Sequence, residues 1–131
     1  MFFKRKPTFS TDSIYIVYAS PEIAVAWWHK VFNAETTEPG EMDDPLPGDI
    51  ALRLDYELPC IFISHLDQVR ASGLERSTDS HPVVTSTNLG KAHAHCKTVG
   101  AHPGPIQSSV GPRFFNLTDP EGNTIEICEE T

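Results

Sequence analysis

Hydrophobic and polar positions set two different periods along this chain, and then repeat them. "SIYIVYAS", from residue 13, is a β-branched and aromatic run that reads as a strand. It stops at Ser20-Pro21, a helix start with Ser at the N-cap and Pro at the first helical position. In "PEIAVAWWHKVFNAE", steps of about 100° per residue gather Ile23, Ala24, Trp27, Trp28, Val31 and Ala34 on one arc. Glu22, His29 and Asn33 fall opposite, so the pattern predicts an amphipathic helix laid on a sheet. The acidic, Pro- and Gly-rich "TTEPGEMDDPLPGD" reads mostly as loop with a short edge strand. "DIALRLDYE" alternates, with Ile50, Leu52 and Leu54 on one face, and "LPCIFISHL" is a further strand.

After the polar stretch 66–80, read as a linker, the order recurs. "HPVVTSTN" is a strand ending at the N-cap residue Asn88. "LGKAHAHCKTVGA" is a helix with Leu89, Ala92, Cys96 and Val99 in one stripe and Gly100 at its end. "GPIQSSVGP" is a weak strand. "RFFNLT" and "NTIEICEE" form a hairpin around Asp119-Pro120-Glu121-Gly122, residue types that suit a type I turn followed by a left-handed Gly. Strand–helix–strands is thus written twice, as module 1 (about 12–65) and module 2 (about 81–130) of one domain spanning 1–131.

The copies register on each other. Ser13 lies seven residues before the cap Ser20, and His81 seven before the cap Asn88. Ile61-Phe62-Ile63 matches Ile125-Glu126-Ile127, so Ser13 corresponds to His81 and Phe62 to Glu126. With Ile14, Ile16, Ile61, Ile63, Ile125 and Ile127 packed under the helices, strand parity puts Ser13, Tyr15, Val17, Cys60, Phe62, Ser64, His81, Val83, Thr85, Glu126 and Cys128 on the other face. Such a face, with two aromatics, a His and a carboxylate, reads as a cavity wall.

Composition narrows the classes. A chain of 131 residues has the size of one ordinary domain; 39% hydrophobic and 21% charged residues mark it as globular. A net charge of −8 repels phosphate backbones, which argues against nucleic acid as a partner. The basic opening "MFFKRKPTFS" is followed by no apolar run, so it is not read as a secretory signal, and no stretch approaches the length of a membrane span. Three widely spaced cysteines, Cys60, Cys96 and Cys128, are expected to be reduced core thiols of a cytoplasmic protein. His93 and His95 lie about 200° apart on their helix, so they cannot chelate one ion and are expected at the surface. The acidic residues Glu38, Glu41, Asp43, Asp44 and Asp49 lack the spacing of a calcium loop.

"SIYIVYASPEIAVAWWHKVFNAE", "HPVVTSTNLGKAHAHCKTVGA" and, most specifically, "RFFNLTDPEGNTIEICEE" make this sequence resemble the vicinal oxygen chelate superfamily. Its members include glyoxalases, bleomycin- and fosfomycin-resistance proteins and extradiol dioxygenases. The resemblance implies an α+β fold: two βαβββ modules forming a curled mixed sheet around a cavity, helices on the outer face. It also implies a homodimer. In metal-binding members the ligands come from the first and last strands of each module, which here are Ser13, Phe62, His81 and Glu126. Module 2 keeps two ligand types, while module 1 departs at both places. A third ligand could come from His65, which has the wrong parity relative to Phe62, from Tyr15, or from a second subunit. Two readings follow. One is a small-molecule binder of the bleomycin-resistance type, holding an apolar or aromatic ligand among Ser13, Tyr15, Phe62, His81, Arg113 and Glu126. The other is an enzyme dependent on Zn, Ni, Mn or Fe, with His81 and Glu126 as ligands, acting as a lyase, isomerase, ring-cleaving dioxygenase or thiol transferase.

Overall fold

A computed structural model describes residues 8–38, 46–54, 58–73, 81–108 and 110–130. The chain opens with β1 (Phe9–Ser10), followed by β2 (Ile14–Tyr18), α1 (Pro21–Phe32), β3 (Glu35–Thr37), β4 (Ile50–Arg53) and β5 (Ile61–His65). Next come α2 (Leu66–Ser72), β6 (Val83–Ser86), α3 (Leu89–Thr98), β7 (Phe114–Thr118) and β8 (Thr124–Glu129). The strands form two four-stranded sheets, ordered β2-β5-β4-β3 and β1-β6-β8-β7. In each, the module's first strand lies parallel to its last. The expected α+β architecture of two repeated modules is therefore present, built as two separate mixed sheets rather than one closed wall.

The register confirms the internal repeat. Tyr15 pairs with Phe62 in the first sheet and Val83 with Glu126 in the second. Since Tyr15 follows Ser13 by two residues and Val83 follows His81 by two, Ser13 matches His81 and Phe62 matches Glu126. Ile14, Ile16, Ile61, Ile63, Ile125 and Ile127 are all buried in the core shared with the helices. Each contributes about 1.5–3 kcal/mol by leaving water.

Helix α1 departs from its predicted stripe. Ile23 is exposed, while Pro21, Ala24, Trp28, Val31 and Phe32 are buried. Phe32 turns inward because it packs edge-on against Phe9 of β1, a strand not anticipated in the basic N-terminal stretch. The Ser20 side chain makes no cap. Instead the Glu121 carboxylate accepts from the Ala19 and Ser20 N–H groups, each at 2.8 Å. Asn88 does cap α3, accepting from Lys91 N–H at 3.0 Å.

Two further differences are local. Leu66–Ser72 is a short helix where a linker was expected, started by His65, whose Nδ1 accepts from Asp67 N–H at 3.1 Å. "GPIQSSVGP" contributes a single bridge, Gln107 to Phe114, in place of a strand. The 74–80 part of the linker, the acidic residues Glu41, Asp43 and Asp44, and the first seven residues lie outside the described residues.

The hairpin turn ties the modules together. Asp119, buried, accepts from Tyr18 Oη at 2.7 Å, Asn123 N–H and Nδ2–H at 2.8 Å and Glu121 N–H at 3.0 Å. Trp28 Nε1–H donates in turn to Tyr18 Oη at 3.0 Å. Gly122, at φ +86°, closes the turn in the left-handed conformation its sequence suggested. His95 adds a second tie, Nε2–H donating to Val31 O at the end of α1 at 2.8 Å, and His93 donates to Gly104 O at the same distance. Both histidines are half-buried structural donors, not surface residues, because carbonyls near helix and loop ends need partners.

Candidate functional site

His81 and Glu126 come together. Glu126 sits on β8 beside the start of β6, and its backbone N–H bonds to Pro82 O at 2.9 Å. That bond sets residue 81 next to it, and His81 Nε2–H donates to Glu126 Oε1 at 3.3 Å. An ionised carboxylate only accepts, so Nε2 is the protonated ring nitrogen in this pair. The imidazole is half in water and the carboxylate less so (side chains 51% and 23% exposed), which places the pair at a rim rather than in a sealed hollow.

A cleft of about 500 Å³ opens beside this pair. It is lined by Ser10, Thr11, Asp12, Ser13 and Ile14 from the segment of β1 and β2 and by His81, Pro82, Val83 and Thr85 from the segment of β6. The size suits a small organic molecule. The chain positions these walls through β1, which runs antiparallel to β6 with Ser10 opposite Thr85. Thr85 Oγ1–H donates to Ser10 O at 3.1 Å, the two hydroxyls meet at 2.7 Å, and Thr11 Oγ1–H donates to Val83 O at 2.7 Å. Ser13 and Asp12, both exposed, are left as the polar groups on the module 1 side. The cleft is more polar than the apolar or aromatic cavity expected from sequence.

Tyr15 and Phe62 lie against each other. Their rings stack at 4.9 Å with planes 22° apart, and Phe62 is 8% exposed. Cys60, Ser64 and Ala51 are buried on the same face of that sheet. Module 1 thus fills its inner face with its own side chains. Arg113 is engaged by Glu129, its backbone N–H, Nε–H and Nη2–H reaching that carboxylate at 2.9, 3.1 and 3.0 Å. Arg113 holds the Glu129 carboxyl below the ordinary range and is not a free anion receptor.

The donor set does not fit a resident catalytic metal. Zinc in such sites takes three protein ligands, and non-haem iron takes two His and a carboxylate. His81 and Glu126 supply two. Ser13 offers a neutral hydroxyl, Phe62 offers nothing, and His65 Nδ1 already accepts a helix N–H. Among the described residues no three His, Cys, Asp or Glu side chains converge as a metal site. Two of the thiols are not activated either: burial pushes Cys96 up to about 12, and burial with Glu126 and Glu129 nearby raises Cys128.

Sequence reasoning passed over Asn116. Asn116 pairs with Glu126 across β7 and β8, and its Oδ1 is buried with no hydrogen-bond partner. The alternation in "RFFNLT" held the signal, with Phe115 and Leu117 buried and Asn116 between them. The pairing partner that gives this position its meaning was visible only in the sheet.

No family model matches the chain, and no curated protein matches it. Solved structures do. A member of the glyoxalase/bleomycin resistance protein/dioxygenase superfamily from Sphaerobacter thermophilus DSM 20745 superposes with TM-score 0.68 at 16% identity, covering 92% of this chain and 97% of that one. Lactoylglutathione lyase from Agrobacterium tumefaciens gives TM-score 0.67 at 11% identity, covering 92% of each chain. The genomically encoded fosfomycin resistance protein of Listeria monocytogenes gives 0.60 at 17% identity, covering 93% of each. The chain has the fold of the glyoxalase/bleomycin resistance/dioxygenase superfamily, as its resemblance to vicinal oxygen chelate proteins implied.

Proposed function

We propose that this protein is a cytoplasmic small-molecule binder that holds an organic ligand in the cleft between Ser13 and His81, with no resident metal. The carrying observation is the asymmetry of the four corresponding positions: His81 bonds Glu126 at 3.3 Å, while Phe62 is buried against Tyr15 and Ser13 is a bare hydroxyl. His81 then offers an imidazole edge to the ligand, and Glu126 fixes the ring and its tautomer. Asp12 and Ser13 line the same cleft. The reading includes pairing of two chains into a homodimer, checked by light scattering.

The alternative is a metal-dependent enzyme, a lyase, isomerase, ring-cleaving dioxygenase or thiol transferase, with His81 and Glu126 as ligands. Its supporting observation is the same convergent pair, and it requires a third donor from beyond the described residues or from a second chain. The test separates the two. Elemental analysis and calorimetric titration with Zn, Ni, Mn and Fe run beside a thermal-shift screen of small organic compounds. Stabilisation by organic compounds, lost in His81→Ala, with no stoichiometric ion supports the binder. A stoichiometric ion that disappears in His81→Ala overturns it.

A further inference from the structure

Hydroxyl protons are scarce in the cleft beside His81. Thr85 Oγ1–H donates to Ser10 O at 3.1 Å, so in the 2.7 Å contact between the two hydroxyls Ser10 Oγ–H is the donor. Thr11 Oγ1–H donates to Val83 O at 2.7 Å. The Ser10, Thr11 and Thr85 protons are therefore all engaged within the chain. The same bonds pin one end of the bend at Asp12 and Ser13, where the chain leaves β1 in one sheet for β2 in the other. Ile14 N–H pins the other end, on Cys60 O at 2.7 Å.

Acceptors on this bend are open. Among the described residues nothing bonds the Asp12 carboxylate or the Ser13 hydroxyl, and both residues are exposed. His81 directs Nε2–H at Glu126 Oε1, which leaves Nδ1 of the neutral ring as an acceptor without a described partner. All three residues line the cleft, and none of the described lining residues is Lys or Arg. Val83, apolar yet 37% exposed, lines it as well, beside Pro82 and Ile14. A carboxylate on the ligand would meet acceptors and the negative charge of Asp12, and the chain's net charge of −8 acts the same way.

From these placements we infer that the cleft takes a primary ammonium carried on an apolar body, and that Asp12 is the ligand-contacting residue that selects it. The inference rests on the binding reading above and names its ligand class. An ammonium has three N–H donors and no acceptor. They match the Asp12 carboxylate, the Ser13 oxygen and His81 Nδ1, and the apolar body covers Val83 and leaves water. Because the bend is pinned at both ends, its carboxylate and hydroxyl meet the ligand with little ordering of the backbone.

The test is calorimetric titration of the full chain at about pH 8, where an ordinary histidine is neutral and a primary amine is charged. The probes are phenethylamine, its N,N,N-trimethyl analogue, which keeps the charge and has no N–H, and phenylacetate. The parent is expected to bind phenethylamine, the trimethyl analogue about tenfold more weakly, and phenylacetate not at all. Asp12→Asn should weaken phenethylamine about tenfold or more, while Glu22→Gln, which removes the same charge from α1 outside the cleft, leaves it unchanged. The inference is overturned if the parent does not bind phenethylamine or binds either other probe as tightly. It is overturned equally if the affinity of Asp12→Asn is no lower than that of Glu22→Gln. If Asp12→Asn does not fold, the three probes on the parent decide alone: tightest binding of phenethylamine supports the assignment, and any other order overturns it. Binding of other organic compounds, lost in His81→Ala, without phenethylamine sinks this inference and leaves the binding reading standing. Ion uptake with no organic binding sinks both.

Discussion

Tyr15–Phe62 and Val83–Glu126 occupy matching rungs of the two sheets, and their surroundings could hardly differ more. On the module 1 rung two rings stack, and Cys60, Ser64 and Ala51 are buried around them. On the module 2 rung Val83 is exposed and Glu126 half-buried, with His81 and Asn116 on either side. In both, the module's first strand pairs parallel with its last and in the same register. What differs is the chemistry of the positions between the buried isoleucines, so one rung is filled by packing and the other carries a polar pair.

The sharpest way to break that contrast is to make the same truncation on both rungs. Phe62→Ala is expected to cost about 3–5 kcal/mol, since it removes a buried ring and leaves a cavity under Tyr15. Glu126→Ala should change stability by at most about 1 kcal/mol, because its pair with His81 is open to water. Urea denaturation of the two variants measures the difference directly. Equal costs would mean that the two inner faces are not specialised as described.

Next in size is the tie between the modules. Asp119→Ala takes the acceptor from the buried Tyr18 O–H, leaving only the bond from Trp28, and should cost about 1–3 kcal/mol. Ligand binding at the cleft should survive in the folded fraction, because Asp119 does not line it. If Asp119→Ala instead abolished binding with no loss of stability, the Asp-Pro-Glu-Gly turn would belong to the site and not to the scaffold.

A smaller effect comes with alkali and lies in the core of module 2. Cys96 is fully buried, and burial pushes its thiol from 9.0 up to about 12. Below about pH 9 both folded and unfolded chains hold the proton, and this contribution to stability is fully present. Above that, the unfolded chain releases the proton while the folded chain keeps it, so stability falls until about pH 12. Tyr18, whose hydroxyl is raised chiefly by burial, acts in the same direction. Urea midpoints taken from about pH 8 to about pH 11 should decline, and the slope should be shallower in Cys96→Ala.

The repeat and the hairpin were legible in the sequence because each rests on local periodicity, and the meeting of His81 with Glu126 because the resemblance matched both to ligand positions of one module. Parity assigns faces, the cap residues set register, and Asp-Pro-Glu-Gly has one economical turn. The rest depended on contacts between distant residues. Ile23 and Phe32 exchanged places because Phe9 packs against the helix, and nothing in "PEIAVAWWHKVF" encodes that neighbour. Ser20 looked like a cap, yet the capping carboxylate came from Glu121, about a hundred residues on. Arg113 looked available until Glu129, sixteen residues away, was seen beside it. Asn116 went unnoticed because a single polar residue in a strand takes its meaning from the residue across the sheet.

The smallest expected change in stability carries the most specific gain in function. Ser13 and His81 line one cleft, and His81 already bonds Glu126. Ser13→His therefore adds a second imidazole to an imidazole and a carboxylate, the donor set that two-His-one-carboxylate metal sites use. Ser13 is exposed, so the substitution should shift stability by no more than about 0.5 kcal/mol in the absence of metal. Calorimetric titration should show the parent taking up no stoichiometric zinc or nickel and Ser13→His binding one ion per chain. Loss of that ion in the double variant Ser13→His, Glu126→Ala would place it at the predicted corner. If the parent binds an ion as well as Ser13→His does, the hydroxyl at position 13 is not what sets the two halves apart, and a third donor is already present.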